Sequence, residues 1–153
     1  MAEGVKVVAT NRKATHDYEI LERQEAGIAL MGSEIKSIRA GQVNIREGYV
    51  DISGSQAWLL NVHISPYDPA YRMNHDPLRK KRLLLHKREI IRLQEAQQQK
   101  GLTIVPLKMY LKKGLAKVEI GLARGLRKYD KRQAIAKKDA EREMRRMLKR
   151  KDE

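Results

Sequence analysis

Four consecutive cations, Arg79, Lys80, Lys81 and Arg82, stand directly before an apolar triplet, and His86, Lys87 and Arg88 follow it. Like charges this close repel one another unless acids or a polyanion relieve them. Phosphate groups are the economical relief, so the cluster, Arg82 included, is a candidate contact to nucleic acid. Lys36 and Arg39, one turn apart on a short predicted helix, suit phosphates for the same reason. A third set of cations fills the last residues, "KYDKRQAIAKKDAEREMRRMLKRKDE". On a helix Lys138, Arg142, Arg146 and Arg150 fall in one column, where each like-charge i, i+4 pair costs about 0.2–0.5 kcal/mol. The apolar stripe beside it, Ala136, Ala140, Met144 and Met147 or Leu148, is narrow. Such a tail is expected to be largely disordered alone and helical when laid along phosphates.

Catalytic chemistry finds less support. His16, His63, His75 and His86 show no pair at the spacing of a helical metal site. The pairs His16-Asp17 and His75-Asp76 read as surface or capping groups, because neighbours on a strand point to opposite faces. No GxSxG, P-loop or GxGxxG motif is present. The absence of cysteine removes disulfides and thiolate chemistry. The reading is therefore a binding protein rather than an enzyme, with no metal and no cofactor.

Composition names the class of partner. Lys and Arg number 33 against 19 Asp and Glu, a net charge of +14, and the pI is near 10.1. That excess favours an acidic partner, nucleic acid first. A membrane surface would need an aromatic or leucine-rich face, and the tail has one tyrosine and one leucine. No apolar run approaches the roughly 18 residues of a membrane span. The opening residues also lack a signal-peptide core, so a cytoplasmic location is expected. Aromatics do not interleave with the regularity of a stacking sheet, which favours recognition of a folded RNA by shape and phosphate.

The elements that must position these residues follow from pattern. Residues 1–15, with only Val5, Val7 and Val8 as apolar signal, read as a flexible entry. "GSEIKSIRAG" reads as a short helix with Ser33 as N-cap, Ile35 and Ile38 on one face, and Gly41 closing it. "GYVDISGSQAWLLNVHISPY" reads as a hairpin turning at "SGSQ", and "DPAYRMNHDPLRKKR" as a long loop. Leu83 and Leu85 suit a core strand. "HKREIIRLQEAQQQKG" is the clearest helix, with Ile90, Ile91, Leu93 and Ala96 as its apolar side and Gly101 as its cap. In a second hairpin, Leu107, Met109 and Leu111 alternate with Lys108, Tyr110 and Lys112. After "KKG", Ala116, Val118, Ile120 and Leu122 alternate with Lys117, Glu119 and Gly121. The result is a mainly β fold with accessory helices, a small antiparallel barrel or strongly curled sheet. The folded domain is expected over residues 1–125, with a basic tail over 126–153.

The blocks "NRKATHDYEI", "EAGIALMGSEIKSIRAG", "RKKRLLLHKREI", "GLTIVPLKMYLKKGLAKVEIGLARG" and "YDKR" follow one another from about Asn11 to Arg132. In wording, order and spacing they resemble the SmpB family, the tmRNA-binding proteins of bacterial trans-translation. The resemblance implies an oligonucleotide-binding-type (OB-like) β-barrel that binds the tRNA-like domain of tmRNA and delivers it to stalled ribosomes. Elongation factor Tu and alanyl-tRNA synthetase would act through tmRNA, and the chain would work as a monomer.

Residue by residue, the resemblance puts Glu25, Leu84, His86 and Lys117 on the tmRNA face. It puts Arg127, Lys128, Tyr129, Asp130, Lys131 and Arg132 at the decoding centre, against small-subunit rRNA. Lys138, Arg142 and Arg146 would follow into the vacant mRNA channel. Tyr129 stands where the family often has histidine, keeping a ring for stacking. Leu126 replaces an expected cation. A ribosomal protein that binds rRNA constitutively is the alternative that shares the charge, the small barrel and the basic arm.

Overall fold

The computed structural model describes residues 4–67, 75–126 and 128–151. Its centre is a ring of antiparallel strands. Strands β2 (Tyr18–Ile28), β4 (Tyr49–Ser53), β5 (Gln56–Leu60), β7 (Lys81–Leu84), β8 (Thr103–Lys112) and β9 (Leu115–Gly125) carry it. They pair in the order β8-β4-β5-β7-β2-β9, and β9 returns to β8 to close the circuit. The weakest join is β4 to β8, paired only at Val50 and Ile104. Inside lie Ile38, Leu59, Leu83, Ile104, Met109 and Ile120, each 1% exposed or less.

Both hairpins follow their turn chemistry. Gly54 and Ser55 have φ of 57° and 65°, and Lys113 and Gly114 have 52° and 79°. Two central residues with positive φ form the tight turn whose twist matches that of the strands it joins. The first hairpin's return is shorter than its sequence suggests. Asn61, at φ 58°, ends β5, and β6 (His63–Ile64) leaves to pair with β3 (Val43–Asn44). The second hairpin hides a bulge between Pro106 and Lys108. Met109 and Leu111 face the main core, whereas Leu107 packs with Ala14, Val105 and Ala123 in a second cluster. The expected single apolar face of β8 is thus corrected by one inserted residue, which exchanges the faces.

Among the described residues, 5–15 are not a flexible entry. Strand β1 (Val5–Thr10) pairs with β8 from Val5 opposite Lys112 to Thr10 opposite Lys108. It lies on an edge, so backbone pairing holds it while Val5 and Val7 remain 36% and 49% exposed. Helix α1 (Arg12–Asp17) follows, capped by Asn11, whose side chain accepts from Ala14 N at 3.1 Å and donates to Pro106 O at 2.8 Å. His16 therefore lies on a helix, and its Nδ1 meets Asp17 Oδ1 at 2.9 Å.

In helix α2 (Gly32–Arg39) the cap is Met31 rather than Ser33. The Glu34 carboxylate accepts from Met31 N at 2.7 Å, while Ser33 Oγ meets His75 Nδ1 at 2.9 Å. His75 is buried, and its Nε2 meets the Ile64 carbonyl at 2.8 Å. A carbonyl only accepts, so Nε2 carries a proton there. His75 is a core strut rather than a surface group. Helix α3 (Lys87–Lys100) ends at Gly101 with φ 63°. Ile90, Leu93 and Ala96 are buried, but Ile91 is exposed, contrary to its expected place on the apolar side.

The four-cation run divides by strand alternation. Arg79 donates to Glu34 Oε1 at 2.5 Å and to Ala29 O at 3.2 Å, and Glu34 is fully buried. Lys81 is also fully buried, its Nζ donating to Arg79 O at 2.6 Å and Val62 O at 3.0 Å. Burial pushes its pKa down, against the opposing pull of Glu34. Lys80 and Arg82 point outward. The expectation of four phosphate ligands is thus corrected to two, because Arg79 and Lys81 are engaged inside. The expected long loop also ends earlier, at β7; its residues 68–74 lie outside the described residues.

Helix α4 (Lys128–Lys151) carries the tail, and the side chains of residues 137–148 are all exposed. Replacing Arg79 by leucine leaves the Glu34 carboxylate buried without its cation. Urea unfolding is expected to show a loss of about 2–4 kcal/mol, near the lower end for a broken buried pair because Arg79 is one-third exposed.

Candidate nucleic-acid interface

The outward residues of β2, β7 and β9 meet in a polar cleft of about 620 Å³ beside the start of α3. Its walls include Gln24, Glu25, Gln56, Arg82, Leu84, His86, Glu89 and Lys117. Register brings them together. Gly27 pairs with Leu84 on one side and with Lys117 on the other, while Lys117 also pairs with Tyr110. Gly27 allows close approach: a Cβ there would stand a tight 3.2 Å from Leu84 Cβ, and Leu84 would have to give by a few tenths of an ångström. The absence of that atom lets the half-exposed Leu84 lie across β2.

Glu25 is held rather than merely exposed. The Tyr110 hydroxyl donates to its Oε2, and Lys112 Nζ stands 3.6 Å from the same oxygen. The Tyr110 hydrogen bond is the largest effect on the carboxyl; desolvation opposes it, and Lys112 and then Lys117 add to it, so the carboxyl stays below the ordinary glutamate value. Burial, and then the same hydrogen bond, push the Tyr110 hydroxyl up, so it remains a proton donor. Glu25 is thus a fixed carboxylate able to accept from N–H or O–H groups of a ligand. Lys112 and Lys117 place positive charge beside it, while Leu84 adds an apolar surface and Arg82 a further cation to the same cleft.

Glu89 ties the helix to the cleft. Its carboxylate accepts from His86 N at 3.0 Å and from the Gln24 side-chain amide. Arg92 donates to Gln24 Oε1 at 3.4 Å from the next turn. The His86 ring stands at the N-cap and is exposed.

Five of the residues expected on one RNA face, Glu25, Arg82, Leu84, His86 and Lys117, therefore share this cleft. Lys36 and Arg39 do not line it; both are exposed on α2, with Lys36 Nζ 5.4 Å from the Tyr67 ring centre. In the tail Lys138, Arg142 and Arg146 are exposed. Arg127 and the side chains of Lys128, Tyr129, Asp130, Lys131 and Arg132 lie outside the described residues. A second cleft of about 510 Å³, near Asn11, Lys13, Arg46 and Glu47, holds none of the expected site residues. There Lys13 and Glu47 neutralise each other at 2.6 Å.

Sequence reasoning missed Tyr110, Gln24 and Glu89. For Tyr110 a signal existed, since a two-residue turn at Lys113-Gly114 sets it opposite Lys117. Nothing local sets β2 beside β9, so its partnership with Glu25 was not visible.

Fold and face together define a small, basic strand-ring protein with a cation-flanked cleft around a fixed carboxylate. The chain belongs to the SmpB family: the model described as SmpB protein matches residues 8–150. An SsrA-binding protein of Desulfitobacterium hafniense is 55% identical over 145 residues, 95% of this chain and 93% of the relative. The SsrA-binding protein of Ligilactobacillus salivarius is 58% identical over 142 residues, 93% and 92% of the two chains. A solved structure described as "tmRNA-SmpB: a journey to the center of the bacterial ribosome" matches with a TM-score of 0.67 and 48% identity. It covers 86% of this chain and 94% of its own.

Replacing Tyr110 by phenylalanine should raise the Glu25 pKa towards the ordinary glutamate value, read by carboxyl NMR. Because the folded-state pKa is lowered, Glu25 contributes stability that is full above the ordinary value. That contribution is lost as pH falls through the folded-state value, so the pH-dependent part of the stability difference between the two proteins should be full at neutral pH, shrink through that window and vanish below it.

Proposed function

We propose that this chain binds the tRNA-like domain of tmRNA through the cleft and delivers it to stalled ribosomes for trans-translation. The observation that carries this reading is the convergence of Glu25, Arg82, Leu84, His86 and Lys117 on one face. Relatives that share more than half of its residues are SsrA-binding proteins, and the protein of the matched structure is described on the ribosome. Arg82 and Lys117 take phosphates, Glu25 accepts from base or ribose donors, and Leu84 packs on a sugar or base. The exposed His86 ring closes the same face. Lys36 and Arg39 add phosphate contacts at its periphery.

The division of labour is between a body over residues 1–125 and a tail over 126–153. Helix α4 is the form the tail takes against rRNA; away from it the column of Lys138, Arg142 and Arg146 disfavours an isolated helix, and the tail is disordered alone. Arg127 to Arg132 enter the decoding centre, with Tyr129 stacking on a base, and the later cations follow the empty mRNA channel. The chain itself catalyses nothing. It works in the cytoplasm as a monomer and meets elongation factor Tu and alanyl-tRNA synthetase through tmRNA.

The test compares affinity for the tRNA-like domain with that for an elongator tRNA at near-physiological salt. A clear preference for the tRNA-like domain is expected, and Lys117→Gln should reduce the log–log salt slope by about 0.7–0.9. The full chain with Lys138, Arg142 and Arg146 all changed to glutamine should keep that preference while losing peptide tagging. Equal binding of both RNAs would contradict the reading and favour constitutive rRNA binding.

A further inference from the structure

The outward face does not stop at the cleft. Back along β7 from Leu84, the next outward residues are Arg82 and, directly before the strand, Lys80, and Arg82 pairs directly with Trp58 on β5. Trp58 is partly exposed and is the chain's single tryptophan. Lys80 Nζ lies over its ring, 4.4 Å from the centroid. A cation placed there is attracted by the ring's negative face, so the long lysine side chain is parked rather than dispersed in solvent.

The backbone beneath is fixed as well. Arg79 and Lys81, the two neighbours of Lys80, are anchored inward on Glu34 and on the Val62 carbonyl. Lys80, directly before β7, and Arg82 within it are both exposed and stand two residues apart, about 6–7 Å along an extended chain. That spacing is of the order of the separation between successive phosphates on one RNA strand. On the far side, Asp51 pairs with Trp58 and is exposed. Its carboxylate repels phosphate, so an anionic strand leaving the cleft is confined to the β7 side of the ring.

We propose that Trp58, Lys80 and Arg82 form a nucleotide subsite contiguous with the cleft, taking an RNA phosphate and the base attached to it. On binding, Lys80 exchanges the indole for a phosphate, and the vacated indole face stacks on the base. The proposal rests on the RNA-binding reading above and extends its footprint by one strand, to β5. It gives Trp58 a role that its position between a core-facing Ala57 and Leu59 does not require.

Trp58 is its own reporter. The full-length protein is titrated with transcribed tRNA-like domain of tmRNA, following RNA anisotropy and tryptophan emission together. Emission should be quenched in step with binding. Trp58→Leu should weaken binding about fivefold or more, in line with loss of one stacked base, and Trp58→Phe should recover most of it. Lys80→Gln, at an exposed position that leaves the fold intact, should lower the log–log salt slope by about 0.7–0.9. Asp51→Asn should tighten binding. RNA that binds without changing the emission, and equally well to the Trp58→Leu and Lys80→Gln proteins, would overturn the subsite while leaving the cleft reading in place. No binding of this RNA at all would overturn both.

Discussion

Strand β9 is hydrogen-bonded along both edges, to β2 from Tyr18 through Gly27 and to β8 from Thr103 through Lys112. The candidate interface depends on this double pairing. It closes the ring, and it sets Lys117 between Gly27 and Tyr110. It also brings the Tyr110 hydroxyl to Glu25, 85 residues away in the chain. A strand with only one partner could shift register and turn every side chain to the opposite face. Paired on both sides around a filled core, β9 has one register, and the charged groups on its outer face keep fixed neighbours.

The second organising effect is the way alternation sorts charge. A run of four cations on a flexible loop would be one diffuse patch. On the approach to β7 it becomes two inward groups and two outward groups. Arg79 and Glu34 tie α2 to the segment entering the ring, and Lys81 donates to the carbonyls of Val62, between β5 and β6, and of Arg79, before β7. Both inward groups hold the backbone from which Lys80 and Arg82 project. The outward cations are thus positioned by inward ones, and the desolvation of Lys81 is offset in part by its two carbonyl partners and the nearby Glu34.

Much of this was legible in the sequence. Both hairpins were, because Gly54-Ser55 and Lys113-Gly114 are local signals that fix register without reference to the rest of the chain. Helix α3 was, from its periodicity and Gly101. The motif blocks carried the family, and with it the cleft residues Glu25, Leu84, His86 and Lys117. Strand β1 was not legible, because an edge strand held by backbone hydrogen bonds leaves little hydrophobic pattern. The bulge after Pro106 was hidden as well, since an alternating run looks the same with or without one inserted pairing step. The fate of Arg79 and Lys81 was lost for a third reason. Composition counts cations, but only a three-dimensional partner such as Glu34 shows which of them is already engaged.

The most direct measurement is a map of backbone amide shifts in the isotope-labelled full chain on adding unlabelled tRNA-like domain. The largest changes should fall on residues 23–27 of β2, 82–86 around the end of β7, and 115–119 of β9, with the cleft around Lys13, Arg46 and Glu47 little changed. Changes concentrated on that second cleft, with Glu25, Leu84 and Lys117 undisturbed, would contradict the assignment of the Glu25 cleft as the RNA-binding face.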